Sequence, residues 1–184
     1  DLNFNMIKVK KVSIGIFGGS FDPPHKAHLK LSLISIKKLR LNKIFWVVTK
    51  KNPFKKKSFF SLKDRVLRCK KITKKINEIK VLSLDKKLKS VNIINTILYL
   101  KKKNKKSIIF LIIGSDNLIN FHKWKKWKKI VELTQLVVFS RKGYDKKGKK
   151  SFINKYLSKN KIIFVKNRKI DISSTQLKKN LQNK

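Results

Sequence analysis

KVKKVSIGIFGGSFDPPHKAHLKLSLISIKKLR, residues 8–40, decides how the rest of the chain is read. Lys8–Phe17 is rich in β-branched residues and stops at the Gly18-Gly19 pair, the pattern of a strand running into a turn. Ala27–Arg40 follows as a helix. Its Leu29, Leu31 and Leu33 alternate as on a strand, but Leu29, Leu33 and Ile36 share a helix face, and the length favours helix. Strand, glycine turn, helix is the opening half of a βαβ unit.

The same alternation continues outward. Ile44–Thr49 (IFWVVT) reads as a buried parallel strand. Lys50–Phe60 is a basic loop with Pro53. Ser61, three residues before Asp64, opens a helix expected to reach about Lys75. Val81–Leu84 is a third strand, and a helix capped by Ser90 or Asn92 runs through Leu100 into the charged stretch Lys101–Lys106. Ile108–Ile113 is a fourth strand ended by Gly114, Leu118–Val131 is helical in parts, and Leu136–Ser140 is a fifth strand. Tyr144–Lys150 is expected to be a mobile loop, Phe152–Leu157 a short helix, Ile162–Val165 a sixth strand, and Ser174–Leu181 the last helix. This predicts an α/β fold: a Rossmann-like parallel sheet of about five or six strands with helices on both faces. Ligands in such sheets sit beyond the carboxyl ends of the strands, here after Phe17, Thr49, Ile113, Ser140 and Val165.

Composition limits the function classes. The chain has 184 residues, 50 Lys plus Arg against 9 Asp plus Glu, a net charge of +41 and 41% apolar residues. The length suits one domain, residues 6–184, with residues 1–5 read as a tag or extended start before Met6. No apolar run is long enough to span a bilayer and no export signal is visible, so the expectation is a cytoplasmic chain with no membrane partner. Cys69 is the sole cysteine, which excludes an internal disulfide and multi-cysteine zinc sites. The charge suggests phosphate-rich partners. However, only five of the 50 cations are arginine, Ala27 is the sole alanine, and Ile and Asn are abundant, so A/T-rich codon usage accounts for much of the excess. No dedicated DNA or RNA motif is present, and nucleic acid is not expected as the main partner.

The chemistry concentrates in Gly18–His28, GGSFDPPHKAH. Two glycines let backbone N–H groups approach a phosphate, and a helix N-terminus follows. His25 and His28, at i and i+3, share a helix face and can both donate to one polyphosphate. A metal reading lacks a third ligand nearby. Neither a GK[ST] phosphate loop nor G-x-G-x-x-G is present. No carboxylate pair fits glycosidase chemistry, and Ser140 and Ser151 have no triad context.

Gly18–His28 resembles the G-G-[ST]-F-D-P-x-H-x-G-H signature of the HxGH nucleotidyltransferases, and Ile172-Ser173-Ser174-Thr175-Gln176-Leu177-Lys178 resembles their I-S-S-T-x-[IL]-R motif. Among subfamilies the chain is most similar to bacterial nicotinate-nucleotide adenylyltransferases. His25 stands where pantetheine-phosphate adenylyltransferases usually carry threonine. Asn52-Pro53-Phe54-Lys55, Arg65, Gly114–Leu118, Trp124 and Arg141-Lys142-Gly143-Tyr144 also match that subfamily's pattern. Departures are Ala27 for the motif glycine, Lys178 for the motif arginine, and Ile93 where a threonine is usual.

The resemblance implies adenylyl transfer from ATP to nicotinate mononucleotide in NAD biosynthesis, with Mg2+ carried on ATP. It implies that His25 and His28 act on the triphosphate. Gly18, Gly19, Ser20, Phe21, Lys55, Asp116, Arg141, Ser173, Ser174, Thr175 and Lys178 would bind ATP or phosphate, with Asp116 accepting from the ribose hydroxyls. Thr96, Trp124 and Lys125 would bind the pyridine nucleotide, Trp124 by stacking. Taken singly, Trp124 and Trp127 also read as packing residues, Asp116 as a helix cap, Ser173–Thr175 as an ordinary helix start, and Lys55 as part of a solvated lysine run. Acceptors such as phosphopantetheine or glycerol phosphate remain alternatives, and both the choice between nicotinate and nicotinamide and a homo-oligomeric state are open.

Overall fold

The computed structural model of the chain describes residues 11–49, 58–83, 92–157 and 161–166. Six strands form one parallel sheet: β1 (Ser13–Gly19), β2 (Lys43–Val48), β3 (Ile79–Ser83), β4 (Ile108–Gly114), β5 (Gln135–Phe139) and β6 (Ile162–Val165). Their order is β3-β2-β1-β4-β5-β6, parallel at every pairing. The order reverses between β1 and β4, which leaves a crevice beyond their carboxyl ends.

The helices are α1 (Lys26–Leu39), α2 (Leu62–Thr73), α3 (Ile93–Lys103), α4 (Ser115–Ile119), α5 (Trp127–Leu133), α6 (Asp145–Lys149) and α7 (Phe152–Tyr156). Alternate strand residues feed two cores, one on each face, because successive side chains on a strand point opposite ways. Ile14, Ile16, Ile109, Leu111, Ile113 and Val138 meet α3, α5 and α7 on one side. Phe17, Ile44, Trp46, Ile112 and Val137 meet Leu31 of α1 and Cys69 of α2 on the other. Burial pushes the Cys69 thiol up to about 12, against the neighbouring Arg65 charge, so it is an inert core group.

Three expectations change. β1 runs through the glycine pair to Gly19, with Gly18 opposite Val47 and Gly19 opposite Val48, so the turn starts at Ser20. The buried stripe of α1 is Ala27, His28, Leu31, Ser32 and Ser35, while Leu33 is 47% exposed. The buried serines are tolerated because each hydroxyl donates to a carbonyl one turn back, Ser32 to His28 and Ser35 to Leu31, both at 2.8 Å. Tyr144–Lys150, expected to be a mobile loop, contains the helical turn α6. Its Gly148 is buried against Ser115, whose carbonyl oxygen would lie 3.2 Å from an added Cβ. Smaller shifts place α3's end at Lys103 and split Leu118–Val131 into α4, a 3-10 turn (Phe121–Lys123) and α5.

Candidate active site

The phosphate-loop candidate is held rigidly from below. Phe21 adopts φ 46° and is 1% exposed. Its ring stacks on Trp46, 4.8 Å between centroids and 14° from parallel. Trp46 is itself fully buried and donates its indole N–H to Ser32 at 2.8 Å. The loop backbone is therefore pinned to β2 and α1 at once.

Two charged side chains tie the same loop sideways. Asp22 accepts the N–H groups of Phe59 and Phe60 at 2.7 and 2.8 Å. Arg65, 1% exposed on α2, donates to the carbonyls of Ser20 (2.6 Å), Thr49 (2.8 Å) and Phe60 (3.2 Å). It thus joins the exits of β1 and β2 to the start of α2. Its planar guanidinium serves several carbonyls in fixed directions, which a lysine could not do.

His25 caps α1 in an extended conformation, and His28 lies in the first turn. The His25 N–H donates to His28 Nδ1 at 3.1 Å. A ring that accepts at Nδ1 carries its proton on Nε2, so His28 is a donor at its other end. The two rings are 3.8 Å apart. Burial, with the Arg141 charge, pushes His25 down to about 4. Burial, with the His25 and Arg141 charges, holds His28 well below the usual imidazole value. Both are neutral donors at neutral pH, not cations.

Arg141 and Asp116 complete the cluster from the exits of β5 and β4. Arg141 Nε lies 3.7 Å from Asp116 Oδ1, and both side chains are partly exposed. They cross directly over Gly114. A Cβ there would collide with Asp116 Oδ1 and lie 3.1 Å from Arg141 Nε. Among the described residues, five buried side-chain polar atoms lack a hydrogen-bond partner: His25 Nδ1, Thr96 Oγ1, Ser107 Oγ, Asp116 Oδ1 and His122 Nδ1. Three of these belong to residues expected to bind substrate, where unspent hydrogen-bonding capacity is informative.

The remaining expected residues divide. Thr96 is fully buried in α3. Trp124 ends the 3-10 turn and packs on Phe121 at 4.8 Å, half-buried, while Lys125 is exposed. Trp127 instead joins an aromatic group with Phe152 and Tyr156. His122 is half-buried with its ring 5.4 Å from Phe152. Lys55, Ser173, Ser174, Thr175 and Lys178 lie outside the described residues. A cavity of about 430 Å³ opens at the opposite edge of the sheet, beside Lys11, Ser107 and Gln135, away from both histidines.

Sequence reasoning gave Arg65 no role, and Asp22 and Asp145 none. A usable signal was scarcity: with nine acids in the chain, an aspartate at a strand exit stands out.

The cytidylyltransferase-like family matches residues 16–180. The chain is 47% identical over 175 residues to a probable nicotinate-nucleotide adenylyltransferase of Pelagibacter ubique, covering 95% of this chain and 97% of that one. A similarly named protein of Nitratiruptor is 37% identical, with 91% and 88% covered. In fold the chain is similar to the Plasmodium falciparum nicotinic acid mononucleotide adenylyltransferase complexed with NaAD, with TM-score 0.71, 21% identity, and 91% of this chain and 83% of that one covered.

Proposed function

The chain belongs to the nicotinate-nucleotide adenylyltransferase family of the cytidylyltransferase-like enzymes, and we propose that the cluster at its sheet edge performs that family's reaction. The reaction transfers the adenylyl group of ATP to nicotinate mononucleotide, giving nicotinate adenine dinucleotide and pyrophosphate, in NAD biosynthesis. A 5′-phosphate oxygen of the acceptor attacks the α-phosphorus of ATP. The bond to the β-phosphate oxygen breaks, and its electron pair leaves with pyrophosphate.

The nucleophile is already anionic, so the protein supplies position and charge stabilisation, not a base. Neutral His28, its Nδ1 occupied by the His25 N–H, offers Nε2–H to the triphosphate. His25 takes a second phosphate oxygen. As negative charge builds on the departing oxygen, both imidazoles gain basicity and stabilise it. N–H groups of Gly19, Ser20 and Phe21 hold phosphate, with Arg141 beside them. Asp116 accepts from the adenosine ribose, and Trp124 stacks on the pyridine above Phe121. Lys55, Ser173–Thr175 and Lys178 supply further phosphate contacts. Mg2+ enters with ATP as part of that substrate, bound to phosphate oxygens. Residues 6–184 act as one domain, and the working compartment is the cytoplasm. Among the described residues no helix is long and apolar enough to cross a membrane.

The observation that carries this reading is the His25–His28 pair, buried, neutral and oriented, at the switch point of the sheet. The test is pyrophosphate release from ATP with nicotinate mononucleotide, phosphopantetheine or glycerol phosphate as acceptor. Release with the first is expected. Release only with another acceptor overturns the substrate assignment, and a rate indifferent to loss of either histidine overturns the site. A nucleic-acid-binding role would show instead as steeply salt-dependent affinity that ignores both histidines.

A further inference from the structure

Asp145 sits at the start of α6 and gathers the exits of two strands. Its Oδ1 accepts from Ser115 Oγ at 2.7 Å and from the Arg141 N–H at 3.0 Å. Its Oδ2 accepts from Ser140 Oγ. The Arg141 N–H is shared, because Ser115 Oγ also accepts it at 3.0 Å. One carboxylate thus joins the exit of β4 at Ser115 to the exit of β5 at Ser140 and Arg141. Burial alone would raise the Asp145 carboxyl. Hydrogen bonds from Ser140, Ser115 and the Arg141 N–H, with the Lys149 charge, more than offset this and hold it below its ordinary range.

Two residues assigned to ATP above lie at these ties: Arg141 itself, and the neighbour of Ser115. Asp116 follows Ser115, and Arg141 Nε reaches Asp116 Oδ1 at 3.7 Å. The Arg141 backbone is held beside that of Asp116 by the Asp145 carboxylate, by Ser115 Oγ and by the pairing of Gly114 with Phe139 just before them. Gly148, packed on Ser115, keeps α6 close enough for the Asp145 carboxylate to reach across.

We propose that Asp145 is a positioning residue for ATP: it acts through Arg141 and the Ser115–Asp116 turn to hold the Arg141–Asp116 pair in its ligand-ready geometry. This deepens the proposed function and rests on it. A carboxylate accepts from all three donors at once through charge-assisted bonds. An asparagine loses the charge and keeps one accepting oxygen, and its NH2 would require the Ser140 hydroxyl to turn and accept.

The test measures MgATP binding by titration calorimetry, which needs no acceptor. Asp145→Asn is expected to weaken it by about tenfold, the scale of hydrogen bonds to a charged group, with nicotinate mononucleotide affinity and thermal midpoint retained. Ser115→Ala, which removes one tie, is expected to weaken it by about threefold. Combining Asp145→Asn with Arg141→Ala should weaken ATP no more than Arg141→Ala alone, because a residue acting through another is non-additive with it. Unchanged ATP affinity in Asp145→Asn overturns the proposal. So do additive losses in the double variant, or equal losses of both nucleotides with a lowered midpoint. A wild-type chain that binds ATP but transfers to no acceptor sinks the reaction while leaving Asp145's role measurable; one that binds no ATP sinks both.

Discussion

The His25 N–H and His28 Nδ1 form a 3.1 Å hydrogen bond that fixes which nitrogen of His28 carries the proton. The motif histidines are thus not equivalent. One lends its backbone to orient the other, and the second presents Nε2–H as a donor of set direction.

His28→Ala is expected to lower kcat at least ~100-fold, as for loss of a transition-state donor. Circular dichroism should show the fold intact, since the Trp46–Phe21 stack and the Ser32 bonds do not use the imidazole. A variant with wild-type turnover would remove His28 from the mechanism.

The histidines also set a pH dependence. His25 lies near 4 and His28 well below the usual 6.5. The unfolded chain therefore binds protons that the folded chain refuses between pH 6.5 and about 4. Stability is fullest above 6.5 and declines as pH falls through that window. Urea midpoints at pH 7 and 4.5 measure the decline, which should shrink when both histidines are replaced by glutamine. Imidazole NMR should show the His25 midpoint moving upward when ATP is bound.

Gly114→Ala should displace Asp116 and Arg141 together, because the new methyl group collides with the Asp116 carboxylate. Overpacking of this kind costs about 1–3 kcal/mol. The expected result is a raised KM for ATP at retained fold, read from steady-state kinetics and a melting curve. An unchanged KM would mean that the pair is not poised over that glycine when ATP binds.

Arg65→Met should cost about 3 kcal/mol of stability, since removing the charge strands the carbonyls of Ser20, Thr49 and Phe60. Arg65→Lys should recover only part of it. Denaturant titration decides this, and full recovery by lysine would show that charge, not fork geometry, matters.

Trp124→Ala is expected to weaken nicotinate mononucleotide by roughly tenfold, an aromatic stacking contribution of ~1–1.5 kcal/mol, with ATP affinity nearly unchanged. Equal weakening of both ligands would make Trp124 a packing residue over Phe121.

The strands were legible because Ile44–Thr49, Ile108–Ile113 and Ile162–Val165 are apolar runs of the right length, and β6 matches its expected bounds. Gly18–His28 pointed to the sheet edge as the candidate site because its residue types have few other joint uses, and the structure places both histidines there. The stripe of α1 was not legible, since buried serines and a histidine have no apolar period. Nor was α6. A lysine-rich segment reads as solvent-loving, and what orders it is one carboxylate meeting donors 5 and 30 positions away. Arg65 was visible as a matched position but not as a hub, because its partners are carbonyls, which every residue has.

The anchoring of Phe21 in the core has a consequence for exchange with solvent. Ligand-contacting loops are usually drawn from the parts of a protein that open most easily. Here Phe21 and Asp22 are at most 2% exposed and bound to β2, to Phe59 and Phe60 and, through Ser20, to α2. The loop can loosen only by dismantling one face of the sheet. ATP should therefore change the loop's shape little, and slow exchange chiefly at the N–H groups it meets, those of Gly19, Ser20 and Phe21.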